Sequence, residues 1–419
     1  MRTQYSIFLE YESQNLVGTL WLNSVRGHVT STFAYAPRWL EAAEAFALSP
    51  DLPLDETTRA CNGLFGCLQD CCPDRWGTML LQRLERRTAA AEGRTPRTLQ
   101  AADCLLRLCD CTRQGALRLS DDGGRTFLAS SDSVSVPSLA VLPGLVRAAR
   151  HVCEQRDEQD KSDERHEACG LQLLAEAGAS LGGARPKVSV LGAKGELCIA
   201  KLSRPDDDRD MPLWEYVTYR LAQRAGLNTP EVRLQRCNGT SVLLVRRFDR
   251  LYAGRTITGR IPFLSAMSLL QAADGDHASY VDLAAALQTA GSAPDIDLPE
   301  LWARMVFNMC VCNVDDHLRN HGFLHDGTGW RLAPVYDLET AHPGEKPPRL
   351  HTALIDEECD FNVPLALDLA EFFGLDSGAA QQRLAGIRKA VASWKEEAVR
   401  VNARASEMQL MREAYEGRL

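Results

Sequence analysis

The chain has 419 residues, too many for one small core, so two or three domains are expected. Hydrophobic residues make up 45% and charged residues 25%, ordinary values for a soluble globular protein. A formal net charge of −9 excludes a surface that wraps nucleic acid unaided, although a local basic patch is compatible with that total.

The N-terminal segment "MRTQYSIFLEYES" has no signal-peptide h-region, and no apolar run of ~18 residues occurs, so a cytoplasmic chain without membrane spans is expected. The runs "YSIFLEY", "LVGTLWL" and "VTSTFAY" are rich in β-branched and aromatic residues and predict strands. From about 75 to 119 the pattern turns helical, with "WGTMLLQRLERR" the clearest piece, giving a small α+β N-terminal domain. Cysteines gather here as Cys61, Cys67, Cys71, Cys72 and Cys109-x-Cys111, without the paired C-x2-C knuckles of a zinc module. All 14 are read as reduced thiols, mostly small core residues.

"DDGGRTFLASSDSVSVP" predicts a hairpin and a Ser-rich connector, and the charge run Glu154 to Glu167 a solvated surface. "KVSVLG" and "ELCIAKL" around "AKG" predict a second hairpin. "PLWEYVTYRLAQRAGL" reads as a helix closed by Gly226, followed by a third hairpin, "EVRLQRC" and "SVLLVRRF" around "NGT". The last 170 or so residues are mainly helical. "DLPELWARMVFNMCVCN" opens with Asp297 and Glu300 in capping-box spacing, and Leu301, Met305, Val306 and Met309 form a buried stripe. "AAQQRLAGIRKAVASWKEEAVRV" carries a second stripe through Trp394 to Val401. A β-rich part thus precedes a helical one, the layout of a two-lobed nucleotide-using enzyme.

The chemistry concentrates in "NVDDHLRNHGFLHDGTGWRLAPVYDL". Asn320 stands five positions after Asp315, the spacing in the protein-kinase catalytic loop of the proton-handling Asp and a Mg²⁺-binding Asn. Asp337 follows 17 positions later, behind "WRLAPVY", where kinases place a second metal-binding Asp. Mg²⁺ takes hard oxygen ligands and shares them with nucleotide phosphates, so one carboxylate and one amide suffice. D-x4-N recurs by chance in most proteins of this size, so its weight comes from the segments upstream. "SLGGARPK" is a small-residue turn whose amides could approach phosphate. Lys201 ends the apolar strand "LCIAK", where its charge requires a partner such as a phosphate or Glu215. The rival for the same segment is a zinc site from His317, His321 and His325; Gly322 interrupts such a helix, and "HGFLHDGTGWRL" reads as a hairpin around Asp326-Gly327. Of the two adjacent aspartates, Asp316 reads as the bystander. No G-x-S-x-G or H-E-x-x-H motif supports a hydrolase.

Taken together, the ordered pieces "GTLWLNSVRGHVTSTFAYAPRWL", "CCPDRWGTMLLQR", "SLGGARPKVSV", "IAKL", "EYVTYRLAQRAGL", "LLVRRFDR", "NVDDHLRNHGFL" and "WRLAPVYDL" resemble the HipA family of bacterial serine/threonine kinases, the toxins of HipBA-type toxin–antitoxin systems. The resemblance implies an α+β, two-lobed protein-kinase-like (HipA-like) fold. Its parts would be an N-terminal subdomain over 1–118, an N-lobe-like region over 119–249 and a helical C-terminal lobe over 250–419. It implies an ATP- and Mg²⁺-dependent kinase acting on a protein substrate, such as an aminoacyl-tRNA synthetase, and causing growth arrest. By position, Asp315 is the catalytic base and Asn320 and Asp337 are the Mg²⁺ ligands. The ATP-binding residues would be Gly182, Gly183, Ala184, Arg185, Lys187, Lys201, the hinge Arg246, Arg247 and Phe248, and His317 and Tyr336. Glu215 supplies a supporting ion pair, Asp249 and Arg250 tie the hinge together, and Ser180 is the autophosphorylated serine. The implied partners are a small helix-turn-helix antitoxin (HipB-like) and, through it, operator DNA. The alternatives are a small-molecule kinase on a related fold, or a non-catalytic component of an antitoxin–DNA complex.

Overall fold

The computed structural model describes residues 2–417 apart from 12, 26, 131–135, 155–169, 173, 175–182, 184, 274 and 343. Ser180, Gly182, Ala184 and nearly all of the Glu154 to Glu167 charge run lie outside the described residues. The chain divides into two compact units, Met1–Asp207 with Gln235–Leu264, and Asp208–Leu234 with Ser265–Leu419.

The first unit begins with the expected strands, β1 (Arg2–Glu10), β2 (Gln14–Val25) and β3 (His28–Tyr35), joined as antiparallel neighbours. With β4 (Arg59–Asn62) and β5 (Leu117–Ser120) they form a five-stranded sheet in the order β4-β3-β2-β1-β5. Here the structure departs from the helical reading of 75–119. Helices Arg75–Ala91 and Ala101–Arg107 form, but Leu117–Ser120 is a strand against β1, with Ile7 opposite Leu119. Leu117 and Leu119 alternate inward, and the edge of β1 supplies backbone partners that a four-residue run cannot find locally. The stretch after β5 is bends and turns with no hairpin among the described residues: Asp122 accepts from the Thr126 amide (3.0 Å), closing a tight loop.

The second sheet has the order β6-β7-β9-β8, from β6 (Lys187–Leu191), β7 (Leu197–Leu202), β8 (Val232–Cys237) and β9 (Thr240–Arg246). Val188 and Val190, Cys198 and Ala200, and Val242 and Leu244 alternate onto one face. That face packs against Trp76 and Leu80 of helix Arg75–Ala91 and Leu142 and Leu145 of helix Leu142–Glu154. Lys201, cross-strand from Lys187 and Leu243, belongs to the opposite alternation. The unit ends in the hairpin β10 (Arg250–Ala253) and β11 (Thr256–Arg260), and β12 (Phe263–Ser265) leads onward.

In the second unit, helix Met211–Arg224 starts as read. The side chain of Asp210 caps it by accepting from the Leu213 amide, and Gly226 beyond its end takes φ +79°. At its buried face Trp214 packs near Trp394 and Tyr415, and its indole N–H donates to Glu407 (2.9 Å) on helix Ala405–Glu416. Helix Pro294–Cys310 is buried along nearly its whole length, well beyond the expected stripe. It begins at Pro294, so Asp297 is not its cap. The Asp297 carboxylate instead takes Arg331 Nε (2.8 Å) and the Leu332 amide (3.0 Å), long-range partners that outcompete a local cap. The second stripe stays on one face but is carried by two helices, Ser377–Ala392 and Trp394–Arg400, broken where Ser393 Oγ donates to Ala390 O (2.6 Å). The hairpin around Asp326-Gly327 is present as β13 (Gly322–His325) and β14 (Trp330–Leu332).

Candidate active site

The segment after helix Pro294–Cys310 is held by polar contacts that begin inside the helix. Asn308, buried there, accepts from Asn313 Nδ2 (3.1 Å) through its side chain and from the Asn313 amide (2.9 Å) through its carbonyl. Asn308 Nδ2 donates to the Tyr280 hydroxyl (3.0 Å), and that hydroxyl donates to Asp316 Oδ2 (2.8 Å). Asp316 Oδ1 accepts the His351 amide (2.6 Å), while its carbonyl accepts Thr352 Oγ1 (2.6 Å) and His321 Nε2 (3.0 Å). A carbonyl only accepts, so His321 carries its proton on Nε2. Burial pushes the Asp316 carboxyl up to about 6 against the donors that favour its charge, and burial pushes His321 down to about 3. Asp316 is therefore no bystander: it is the buried anchor of the loop, 1% exposed, and its neighbour Asp315 is half-exposed.

Asp315 faces outward from that anchor. Its amide donates to Asn313 Oδ1 (3.2 Å), its carbonyl accepts Asn320 Nδ2 (2.8 Å), and Lys346 Nζ lies 3.3 Å from its Oδ1. The Asn320 bond orients the amide. Its Oδ1 is buried and accepts no hydrogen bond within the described residues. An orphaned buried carbonyl oxygen costs free energy unless something else occupies it. A hard divalent cation is the fitting occupant, because it takes oxygen ligands and tolerates an amide among them. The second expected ligand, Asp337, sits in left-handed backbone (φ +57°), uncommon for a residue with a Cβ. Its amide donates to the Tyr219 hydroxyl (3.2 Å) from helix Met211–Arg224. His317 joins the group: burial depresses its ring, while the charges of Asp315 and Asp337 pull the other way. Its Nδ1 is also buried without a hydrogen bond among the described residues. Tyr336 donates its hydroxyl to Arg319 O (2.7 Å), fixing the approach to Asp337. So Asp315, His317, Asn320 and Asp337 come together in one unit.

The rival histidine set does not converge. His321 points into the loop anchor, and His325 stands edge-on to Trp330 (5.1 Å between ring centroids) within the hairpin.

The other expected site residues belong to the first unit, except Glu215, which is half-buried on helix Met211–Arg224. Lys187 is placed otherwise than a phosphate-binding side chain would be: its ammonium is buried against Asp74 (3.1 Å) at the cap of helix Arg75–Ala91. Arg185 pairs with Asp207 (2.6 Å), and Gly183 takes φ +92°. Arg246 lies over the Tyr252 ring (4.4 Å). Arg247 gives its amide to Leu197 O (2.8 Å) and its guanidinium to Asp249, so neither serves a ligand at the hinge; Phe248 packs near Phe263. Asp249 and Arg250 tie this segment together as read, with Asp249 also accepting from Arg250 Nη1 and the Gly115 amide (both 2.8 Å). Tyr280, Asn308, Tyr219 and Lys346 were not singled out from the sequence. Only Asn308 left a signal, a polar residue inside an otherwise apolar helix.

Residues 11–107 match the model of the HipA N-terminal domain, and residues 179–398 that of the HipA-like C-terminal domain. The chain belongs to the HipA family. It is 28% identical over 335 residues to the Sinorhizobium fredii protein named "Putative kinase Y4mE", covering 75% of this chain and 74% of that one. Its fold is similar to that in the complex of the Shewanella oneidensis MR-1 toxin–antitoxin system HipA, HipB and its operator DNA. There the TM-score is 0.67 at 17% identity, over 97% of this chain and 95% of the other. The mixed α/β, HipA-like architecture expected from the sequence is thus the one observed.

Proposed function

We propose that this HipA-family chain is a protein serine/threonine kinase that uses ATP and Mg²⁺. The observation that carries the reading is the Asn320 amide: bonded through nitrogen to the carbonyl of Asp315, it leaves its oxygen buried and without a hydrogen-bond partner among the described residues. Asp315, half-exposed on an anchored loop, accepts the proton of the acceptor hydroxyl. Asn320 and Asp337 would hold Mg²⁺. When bound, the ion neutralises charge on the phosphate oxygens. His317 and Tyr336 line the nucleotide side, and Tyr219 keeps Asp337 in its left-handed conformation. Lys201, with Glu215 as its supporting partner, is assigned to the ATP phosphates, and Gly182, Gly183, Ala184 and Arg185 to the phosphate loop. The hinge Arg246 to Phe248 is assigned to adenine, through backbone groups other than the Arg247 amide.

The substrate is proposed to be a protein of the translation apparatus, such as an aminoacyl-tRNA synthetase, so that activity arrests growth in the cytoplasm. Phosphate on Ser180 adds nearly two negative charges next to the nucleotide phosphates and would switch the kinase off. The likeness to a HipA–HipB–operator DNA complex supports a HipB-like antitoxin and, through it, DNA as partners. No helix among the described residues is long and apolar enough to cross a membrane.

Incubation with γ-labelled ATP tests the central claim. The expected result is label on protein, the chain itself included, and none with Asp315→Asn at unchanged thermal stability. Retained transfer in that variant removes Asp315 as the base; label on small molecules alone makes the chain a small-molecule kinase.

A further inference from the structure

Lys346 places its ammonium 3.3 Å from Oδ1 of Asp315, and neither the family pattern nor the residue spacing assigns it a role. It comes from the segment after Asp337, held on both sides. Immediately before it, Glu345 accepts from Arg209 Nη2 (2.8 Å), and the Arg209 side chain is itself buried. His342 Nε2 lies 2.9 Å from Asp208. Five residues after Lys346, the His351 amide donates to Asp316, the anchor next to Asp315. Pro347 and Pro348 follow directly and restrict Lys346 to extended backbone. The segment therefore delivers the ammonium to the carboxylate from a strapped frame. Both side chains are nearly half-exposed, and exposed ion pairs add little to stability, so stability gives no reason for this construction.

We propose that Lys346 is a positioning residue for phosphoryl transfer, an inference that rests on the reading of Asp315 as the base. Its ammonium holds Oδ1 and sets the plane of the carboxylate, so that the other oxygen faces the acceptor hydroxyl. In the transfer, the hydroxyl oxygen forms the new bond to the γ-phosphorus. The bond from that phosphorus to the β,γ-bridging oxygen breaks, and its electron pair leaves on ADP. The hydroxyl proton passes to Asp315, and Lys346 keeps all of its own protons. A base held by one point only rotates, and misorientation of a reacting group is costly in rate.

The test uses the whole chain with γ-labelled ATP, its own serines and myelin basic protein as acceptors, and initial rates across ATP concentrations. Lys346→Ala should lower kcat roughly 10- to 100-fold, as misplacing a reacting group by up to about 1 Å does, and leave KM for ATP within about 3-fold. Lys346→Arg, which keeps the charge and the reach, should recover at least half of the lost rate on a logarithmic scale. A merely structural role would move thermal stability and leave the Arg variant no advantage. Wild-type kcat in Lys346→Ala overturns the inference. So does a raised KM at unchanged kcat, which would make Lys346 a nucleotide contact, and so does failure of Arg to rescue. Asp315→Asn keeps the two claims apart: if it abolishes transfer while Lys346→Ala is silent, only the positioning role falls. If Asp315→Asn retains transfer, or the wild type transfers to no acceptor, the underlying reading falls too.

Discussion

Two buried acidic centres, one in each unit, show how the same residue type serves opposite ends. In the first unit, Asp110 takes Arg113 (3.0 Å), Arg118 (2.6 Å) and Arg260 (2.8 Å), and Asp249 takes Arg247, Arg250 and the Gly115 amide. Every oxygen of both carboxylates is engaged. Burial would raise both groups, yet the surrounding guanidiniums outweigh it and hold them below the usual carboxylate range. In the second unit the Asp316 carboxylate is met by neutral donors, the Tyr280 hydroxyl and the His351 amide, and burial wins. One and four positions on from it, His317 Nδ1 and Asn320 Oδ1 are buried and have no hydrogen-bond partner among the described residues. The saturated centre binds parts of the fold to one another. The unsaturated one keeps acceptors open, which folding alone does not reward.

Breaking the saturated centre should have the largest effect. Asp249→Ala leaves Arg247 and Arg250 buried without their counter-charge, and should cost about 3–5 kcal/mol in urea denaturation, or prevent folding. A loss below about 1 kcal/mol would show that water reaches these guanidiniums.

The neutral centre should respond to pH instead. Asp316 sits near 6 against 3.8 in the unfolded chain, so the folded state binds the proton more tightly. The stability this group adds is full below about pH 4 and is lost as pH rises through about 6, a swing of roughly 3 kcal/mol for two pH units. His321, lowered to about 3, works in the opposite sense: its contribution is present above 6.5 and is lost as pH falls toward 3. Asp316→Asn imitates the protonated acid and removes only the first effect. The variant should therefore lose more stability than the wild type on going from pH 7 to pH 4.5. Parallel denaturation curves at the two pH values would contradict the burial-driven shift.

The open acceptor should matter least to stability and most to transfer. Asn320→Ala deletes one neutral hydrogen bond, worth about 1 kcal/mol, yet should abolish Mg²⁺-dependent labelling. A stability loss as large as that of Asp249→Ala would reclassify Asn320 as part of the frame.

The elements of the fold were largely legible because they depend on neighbours in sequence. Alternation marks β1 to β3 and the β6–β7 pair, and helical spacing closed by a terminal glycine marks helix Met211–Arg224. β5 was missed because a four-residue strand exists only through its partner β1, more than a hundred positions away. The start of helix Pro294–Cys310 was misplaced because Asp297 is claimed by Arg331 and Leu332. In the site, the spacing Asp315, Asn320, Asp337 could be read directly, since a helix end and a hairpin of fixed length set those positions. Which of two adjacent aspartates faces outward could not.

The sequence alone determined the family, most of the strands and helices, and the short-range constellation around Asp315, because local periodicity and motif spacing carry that information. Tertiary structure decided what each charge is for. Burial on Asp74 gave Lys187 a structural task, a ring of amides and one tyrosine made Asp316 the anchor, and the strapped segment brought Lys346 to Asp315. The physical reason is the same in each case: the state of a polar group depends on which distant donors and acceptors reach it once water is excluded, and chain order does not encode that.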